Sequence, residues 1–358
     1  MRRIWRGLSV AVAAAALSFG SAIAAPEPAA HDYVIKDFKF RSGEALPDLK
    51  IHYYTLGAPK TDAAGRVTNA VLILHGTGGT GRQFLSPQFA DVLFAPGGLL
   101  DPATHYIILP DGIGHGGSSK PSDGLRQKFP KYDYADMIEA QHELVTKGLK
   151  VEKLRLLMGT SMGCMHGFMW AEAWPQGAQA LMPLACLPVE IAGRNRLWRK
   201  MAIDAMKADP AFNGGDYTAQ PAQGVRTAQD LLMLVGASPL PMQNQLPTRQ
   251  AVDEWLATEL PRRMGPADAN DLIYQLDASR TYDPSKDLEK IVAPMTWVNS
   301  ADDFINPPEL GIAEREARRL KTTKFVLIPA SEKTRGHGTH TWAVLWKDEL
   351  AALLKRSE

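Results

Sequence analysis

Cysteine is nearly absent: the 358 residues hold two, Cys164 and Cys186. Two are too few for a disulfide framework, and their spacing matches no zinc site. Cys164 falls on a predicted core helix and Cys186 at the end of a predicted strand, so both are expected as buried thiols, although an oxidising compartment would allow them to pair. Histidine pairs at metal-ligand spacing with a supporting acid are missing, as is a phosphate-binding glycine fingerprint ahead of a helix. No metal and no cofactor is implied. An excess of one charge is also lacking, with a formal net charge of +1, so nothing points to nucleic acid or another polyanion. After the N-terminal segment no run is long and apolar enough to span a bilayer, and no internal repeat occurs.

What is present begins with that N-terminal segment. Arg2, Arg3 and Arg6 precede an apolar stretch from Leu8 to Leu17, followed by the small-residue site Ala22-Ile23-Ala24. Basic, apolar and small segments in that order predict a cleavable secretory signal over 1–24, with cleavage near Ala24. The apolar run falls short of the roughly 18 residues a membrane anchor needs. The Arg-Arg pair lacks the surroundings of a twin-arginine signal, which leaves the export route open. The mature protein is thus expected in the periplasm or secreted, off the membrane. Losing the leader lowers 40 basic residues to 37 against 39 acidic ones, and the remaining chain is large enough to bury a sizeable core.

Short aliphatic runs at Val71–Leu74, Tyr106–Leu109, Leu154–Met158, Ala180–Leu184, Met295–Val298 and Phe325–Ile328 read as parallel strands buried on both faces. Helical patterns at Tyr134–Gly148 and Met162–Trp174 alternate with them, as in a doubly wound α/β sheet. Tyr33–Phe40 and Leu49–Leu56 are expected as antiparallel opening strands. The alternation breaks over 189–290, where helices predicted at Arg196–Asp209, Thr227–Gly236, Gln250–Leu260 and Ala267–Ser279 suggest an inserted helical cap. The α/β core would then comprise 25–188 and 291–358.

Chemistry enters at Gly159-Thr160-Ser161-Met162-Gly163, a G-x-S-x-G set where an apolar strand hands over to a helix. That context separates a nucleophile elbow from a chance match: the turn is sharp, glycine avoids clashes, and Ser161 Oγ is projected above the sheet. A helix start also offers N–H groups to an oxyanion. Donors for that oxyanion are expected from the Met162 amide and from Thr77, in the glycine-rich loop His75-Gly76-Thr77-Gly78-Gly79. His75 itself reads as a structural hydrogen-bonding residue. Gly114-His115-Gly116-Gly117 reads as a strand-end loop beside the site.

A serine hydroxyl needs a base and an orienting acid. The acid should follow the strand Met295–Val298, where Asp302 and Asp303 both fit by spacing; the other would be a surface or loop-capping residue. The histidine should follow Phe325–Ile328, where His337 and His340 both lie. His337 is preferred for its flanking glycines, while His340, nearer the last helix, is expected to cap or pack.

These residues carry a resemblance. From about Leu49 onward the chain is similar to the homoserine O-acetyltransferase branch of the α/β-hydrolase superfamily. Gly159-Thr160-Ser161-Met162-Gly163-Cys164-Met165-His166 resembles that family's G-G-S-M-G-G-M-Q elbow, and Phe129-Pro130, Asp136 and Gln141 match the segment before it. Asp209-Pro210, Gly214, Tyr217, Gly224, Ala228, Asp268-Ala269-Asn270 and Tyr274 follow the family's order inside the cap. The resemblance implies an α/β-hydrolase fold: a mostly parallel sheet, helices on both faces and an inserted helical cap. Its acid, an Asp separated from Pro-Pro by three residues, falls on Asp303, and its Gly-His pair falls on Gly336-His337.

Two departures bear on substrate. Where the transferases carry an aspartate after the histidine and an arginine after the cap alanine, both associated with holding the amino acid, this chain has Gly338 and Gln229. The loop at Gly114–Ser119 also resembles that of simpler hydrolases. The expectation is therefore an exported serine hydrolase acting on a small acyl compound, with Ser161, His337 and Asp303 as triad and Thr77 and Met162 as oxyanion donors. Acyl transfer to an alcohol or amine would use the same residues, and a non-catalytic binding protein on the same scaffold is the third reading.

Overall fold

The computed structural model describes residues 27–358; the expected signal segment and cleavage site lie outside the described residues. The strands are β1 (Ala29–Lys39), β2 (Ala45–Leu56), β3 (Ala70–Leu74), β4 (Tyr106–Pro110), β5 (Leu156–Thr160), β6 (Leu181–Leu184), β7 (Met295–Ser300) and β8 (Thr323–Ile328). They form one sheet in the order β1-β2-β4-β3-β5-β6-β7-β8. The β1–β2 and β2–β4 pairs are antiparallel, and every pair from β4–β3 to β7–β8 is parallel.

Helices α1 (Pro87–Leu93), α2 (Tyr134–Glu143) and α3 (Met162–Ala173) connect the early parallel strands. Between β6 and β7 come α4 (Gly193–Ala208), α5 (Ala222–Gly236), α6 (Pro239–Gln245), α7 (Arg249–Met264) and α8 (Ala269–Asp277), followed later by α9 (Ile312–Ala317) and α10 (Lys347–Arg356).

Every residue of β3 to β6 is buried, because helices cover both faces and neither face has water to meet. Side chains alternate along a strand. Leu72 and Leu74 enter one core with Met137 of α2, Phe168 and Trp170 of α3, and Trp297. Val71 and Ile73 enter the other, with Phe89 and Leu93 of α1 and Trp346 and Leu350 near the C-terminus. A third apolar centre belongs to the segment after β6: Trp198, Ile203 and Met206 of α4 pack on Val225 and Ala228 of α5 and on Leu272, Ile273 and Leu276 of α8.

Differences from the sequence reading have local causes. β5 starts later than Leu154, which makes only an isolated bridge to Ala178, and runs on through Gly159 and Thr160 into the turn. The helix expected over Tyr134–Gly148 is α-helical to Glu143 and closes in a π-helical turn at Leu144–Gly148. The short helix α6 was not anticipated: seven residues carry too little periodicity to read.

The expectation of free thiols is corrected. Cys164 and Cys186 form a disulfide, with Cα atoms 5.9 Å apart. The sheet register explains it: Thr160 of β5 lies beside Leu184 of β6, so the first turn of α3 and the residue two past β6 start from adjacent points. Closing a loop of 22 residues stabilises by about 3 kcal/mol in the chain-entropy account. Reduction under native conditions is expected to lower the thermal midpoint by several degrees, and the Cys164→Ala/Cys186→Ala double variant should match the reduced protein. Calorimetry with and without reductant checks this.

Candidate active site

The turn from β5 into α3 places Ser161 at φ 53° and ψ −109°, a conformation L-residues rarely adopt. Two glycines make room for it. A Cβ on Gly159 would lie 2.0 Å from Gly163 O, and a Cβ on Gly163 would lie 2.1 Å from Leu74 O; neither position accepts a side chain. Ser161 N–H donates to Leu184 O (2.8 Å) and Gly163 N–H to His75 O (3.0 Å), so the turn is tied to the ends of both neighbouring strands.

The loops after β7 and β8 bring two more groups to the serine. His337 Nε2 lies 2.7 Å from Ser161 Oγ, and His337 Nδ1 lies 2.9 Å from Asp303 Oδ2. A carboxylate only accepts, so Nδ1 carries the proton toward Asp303 and, in the neutral ring, Nε2 is free to accept from the serine hydroxyl. Asp303 is 2% exposed and also accepts from Asn306 Nδ2 (2.9 Å) and Ile305 N–H (2.8 Å). Burial pushes its carboxyl up, but the opposing pull of His337 and these hydrogen bonds wins and holds it below the usual carboxylate value. An array of this geometry lets an imidazole take a serine proton while the carboxylate fixes the ring and stabilises the imidazolium.

Asp302 and His340, the spacing alternatives, lie off this line. Asp302 accepts from Ser300 Oγ, Ser238 Oγ (2.6 Å), Thr334 Oγ1 (2.7 Å) and Gly336 N–H (3.1 Å). It therefore ties the end of β7 to the histidine loop and to the N-cap of α6. His340 packs edge-on against His337, ring centroids 5.3 Å apart, and burial together with the His337 charge lowers it to about 3.

The expected oxyanion donors stand around the serine. Met162 is the first residue of α3, so its N–H has no carbonyl one turn back within the helix. Thr77 follows Gly76, where a Cβ would come within 3.3 Å of Ser161 Cβ. His75 is held in place, its Nδ1 donating to Gly76 O (2.8 Å) and its Nε2 accepting from Gly112 N–H (2.9 Å); burial lowers its pKa.

Two cavities open among these segments, the first of them bordered by Asp303. One, of about 800 Å³, runs between the segments after β6 and β7 and is lined largely by apolar groups, among them Met165, Leu187, Ile191, Phe304 and Leu310. The other, of about 540 Å³, lies between Gly78–Gly79–Thr80, the Gly114 loop, α5 and α8. Gln229 lines this second cavity, and so do Arg262 and Arg263, which sequence reasoning missed because nothing local marks a residue of α7 as facing a loop after β3. Both arginines are engaged by Glu259 at 2.6 Å. Among other cations of the segment after β6, Arg194 lies over the Phe304 ring and donates to Phe304 O (2.6 Å). Arg226 pairs loosely with Asp230, and Arg196 with Asp277.

Known proteins resemble this one over most of its length. A family model described as alpha/beta hydrolase fold matches residues 69–332. A probable acyltransferase of Methanothermobacter thermautotrophicus is 28% identical over 279 residues, 78% of this chain and 84% of that protein. A homoserine O-acetyltransferase of Moorella thermoacetica is 28% identical over 309 residues, 75% of this chain and 80% of that one. Among solved structures, the acetyl esterase MekB superposes with a TM-score of 0.78 at 23% identity, covering 92% of this chain and 96% of that one. The homoserine O-acetyltransferase of Bacillus anthracis gives 0.79 at 19%, covering 91% and 97%.

Substitutions separate the neighbouring candidates. Ser161→Ala should abolish labelling by a fluorophosphonate probe and lower turnover on the order of a thousandfold or more. Asp303→Asn and His337→Ala should each cost orders of magnitude in kcat. Asp302→Asn and His340→Ala should be much milder in kcat, with Asp302→Asn losing thermal stability because four donors share its carboxylate. A reversed ranking in either pair would move the assignment to the neighbour.

Proposed function

The chain belongs to the α/β-hydrolase family, in its homoserine O-acetyltransferase-like branch, and from that premise we propose that it is an exported serine hydrolase cleaving an ester or similar small acyl compound. Its esterase and acyltransferase relatives mark it as an enzyme of the hydrolase or acyltransferase class, which sets the non-catalytic reading aside. The observation that carries the proposal is the hydrogen-bonded line from Ser161 Oγ through His337 to Asp303.

In this reading Ser161 Oγ attacks the acyl carbon as His337 Nε2 takes its proton, and the Thr77 and Met162 amides hold the resulting oxyanion. The collapsing intermediate expels the alcohol, which receives the proton from His337. Water, deprotonated by the same nitrogen, then attacks the acyl-enzyme and releases the acid. Residues 189–290 act as a cap over the core of 25–188 and 291–358.

Water rather than an amino acid is favoured as acceptor by the group at position 229. The side chain there is the neutral amide of Gln229, 7% exposed, where the transferases carry an arginine. Gly338 offers no charge for an ammonium. An ionic group left unpaired in a desolvated pocket costs several kcal/mol, enough to suppress transfer by orders of magnitude. Acyl transfer remains the second reading, supported by the curated homoserine acyltransferase relatives, and differs only in the nucleophile admitted to the acyl-enzyme.

Supplying acetyl-CoA or an activated acetyl ester with homoserine and measuring free acetate against O-acetylhomoserine decides between them. Acetate is expected to dominate; predominant O-acetylhomoserine at modest homoserine concentration would establish transfer instead.

Export is supported by the basic, apolar and small-residue order of the first 24 residues and by the Cys164–Cys186 disulfide, since such bonds persist in oxidising compartments. N-terminal sequencing of the protein recovered outside the cytoplasm should find a start near Ala25, whereas Met1 on a cytoplasmic form would contradict it.

A further inference from the structure

Leu184, Ala185 and Cys186, where β6 ends, form a corner bonded to the nucleophile turn on one side and to β7 on the other. Leu184 O accepts from Ser161 N–H (2.8 Å), and Ala185 N–H donates to Val298 O (2.9 Å). Cys186 is joined to Cys164 of α3 by the disulfide, and its carbonyl accepts from Trp297 Nε1 and Asn299 Nδ2, both at 3.1 Å. Ala185 turns through φ 64°, a left-handed conformation that is costly for a residue with a Cβ.

The remaining carbonyl of this corner, that of Ala185, accepts from a side chain of the acid loop. Asn306 Nδ2 donates to Ala185 O (3.0 Å) and to Asp303 Oδ2 (2.9 Å). Both partners only accept, which fixes the nitrogen end of the amide and uses both of its hydrogens. Oδ2 is also the oxygen facing His337 Nδ1, whereas Oδ1 takes the Ile305 N–H. Asn306 is 4% exposed, which shields both bonds from bulk water. Pro307 follows it and biases its backbone toward extended conformations, so the amide starts from a fixed point.

Few other groups can orient the Asp303 carboxylate. His337 is its one ion-pair partner among the described residues. His340 packs against His337 and stays neutral, lowered to about 3 by burial and by the His337 charge. Asp302 gives its oxygens to other donors, and Arg194 is engaged on Phe304. Orientation therefore falls to two neutral donors, of which Ile305 N–H lies within the acid loop and Asn306 reaches out of it.

We propose that Asn306 is a positioning residue: by bridging Asp303 Oδ2 to the corner after β6 it sets the acid, and through it the His337 ring, in register with Ser161. The proposal rests on the triad reading above and adds a further side chain to it, one that acts through Asp303 rather than on the reacting atoms. It applies to hydrolysis and to acyl transfer alike, since both pass through the same histidine.

Asn306→Leu keeps roughly the same size and removes both donors. The kcat/KM for p-nitrophenyl acetate should fall about ten- to a hundredfold, the scale of one hydrogen bond to a charged group. Losing a donor to the carboxylate also lets the His337–Asp303 pair hold its proton to higher pH, so the acidic limb of the kcat/KM profile should move up. A residue that merely filled space would lower activity by the same factor at every pH. In an Asp303→Asn background the same substitution should cost little, because the carboxylate through which it acts is gone.

An unmoved acidic limb, or an Asn306→Leu penalty as large in Asp303→Asn as in the unaltered protein, overturns the proposal. Asn306→Ser, too short to span both acceptors, supplies the same two readouts if Asn306→Leu does not fold. Fluorophosphonate labelling keeps the two readings apart: an unaltered protein that neither labels nor turns over removes the triad reading and the proposal with it, whereas an active protein indifferent to Asn306 removes the proposal alone.

Discussion

The close approach of α3 to the ends of β3 and β5 is the constraint on which the site depends. Ser161 can hold its strained backbone, a cost of about 1–3 kcal/mol, because Leu184 O receives its N–H and His75 O receives that of Gly163. Those bonds reach β6 on one side and the loop after β3 on the other. The same contact that excludes a side chain at Gly163 brings the His75–Gly79 loop beside the serine. One tight turn therefore positions the Ser161 hydroxyl, brings the His75–Gly79 loop to it and aligns Cys164 with Cys186. A methyl group added at Gly159 or Gly163 would displace all three together.

Adjacent aspartates divide the work of the second half of the site. Asp303 turns inward, and its charge is sustainable only because every oxygen is met by a donor, His337 among them. Asp302 turns the other way and gathers Thr334, Gly336 and Ser238. The first orients the imidazole through its ring nitrogen. The second holds the backbone that carries that imidazole, so His337 is fixed at both its tip and its base. Distance from the reacting atoms, rather than charge, separates the two tasks.

How much of this was legible follows from how local each signal is. Buried parallel strands announce themselves as aliphatic runs, and all six expected ones lie on the sheet with ends displaced by a few residues. The elbow was readable because Gly159, Ser161 and Gly163 stand together on a strand-to-helix junction. Residues matched inside the cap by resemblance have structural tasks: Asp209 accepts from Gly224 N–H, a Cβ on Gly224 would strike Met206 Cα at 2.5 Å, and Tyr217 OH joins Asp268 to the Asn270 N–H. What was not legible depends on distances between remote segments. The Cys164–Cys186 pairing needs the β5–β6 register, the four donors on Asp302 come from the end of β7, the residue before α6 and the loop carrying His337, and Arg262 and Arg263 reach the Gly78–Thr80 loop only through the fold of α7.

The seam between the α4–α8 segment and the sheet is closed at separate places. On one side of Ser161, α8 is sewn to the Ser122, Gln127 and Gly114 backbone and side chains. On the other, Ser238 at the start of α6 donates to Asp302, and the Ala237 carbonyl packs so closely on Gly336 that a Cβ there would lie 2.8 Å away. The α4–α8 segment is thus fixed at two places, once to the Ser122, Gln127 and Gly114 loops and once to the loop that carries His337. Its walls present groups already in place, and a small molecule entering beside them is ranked by how well its own polar groups pair with them, since an unmatched buried dipole is penalised.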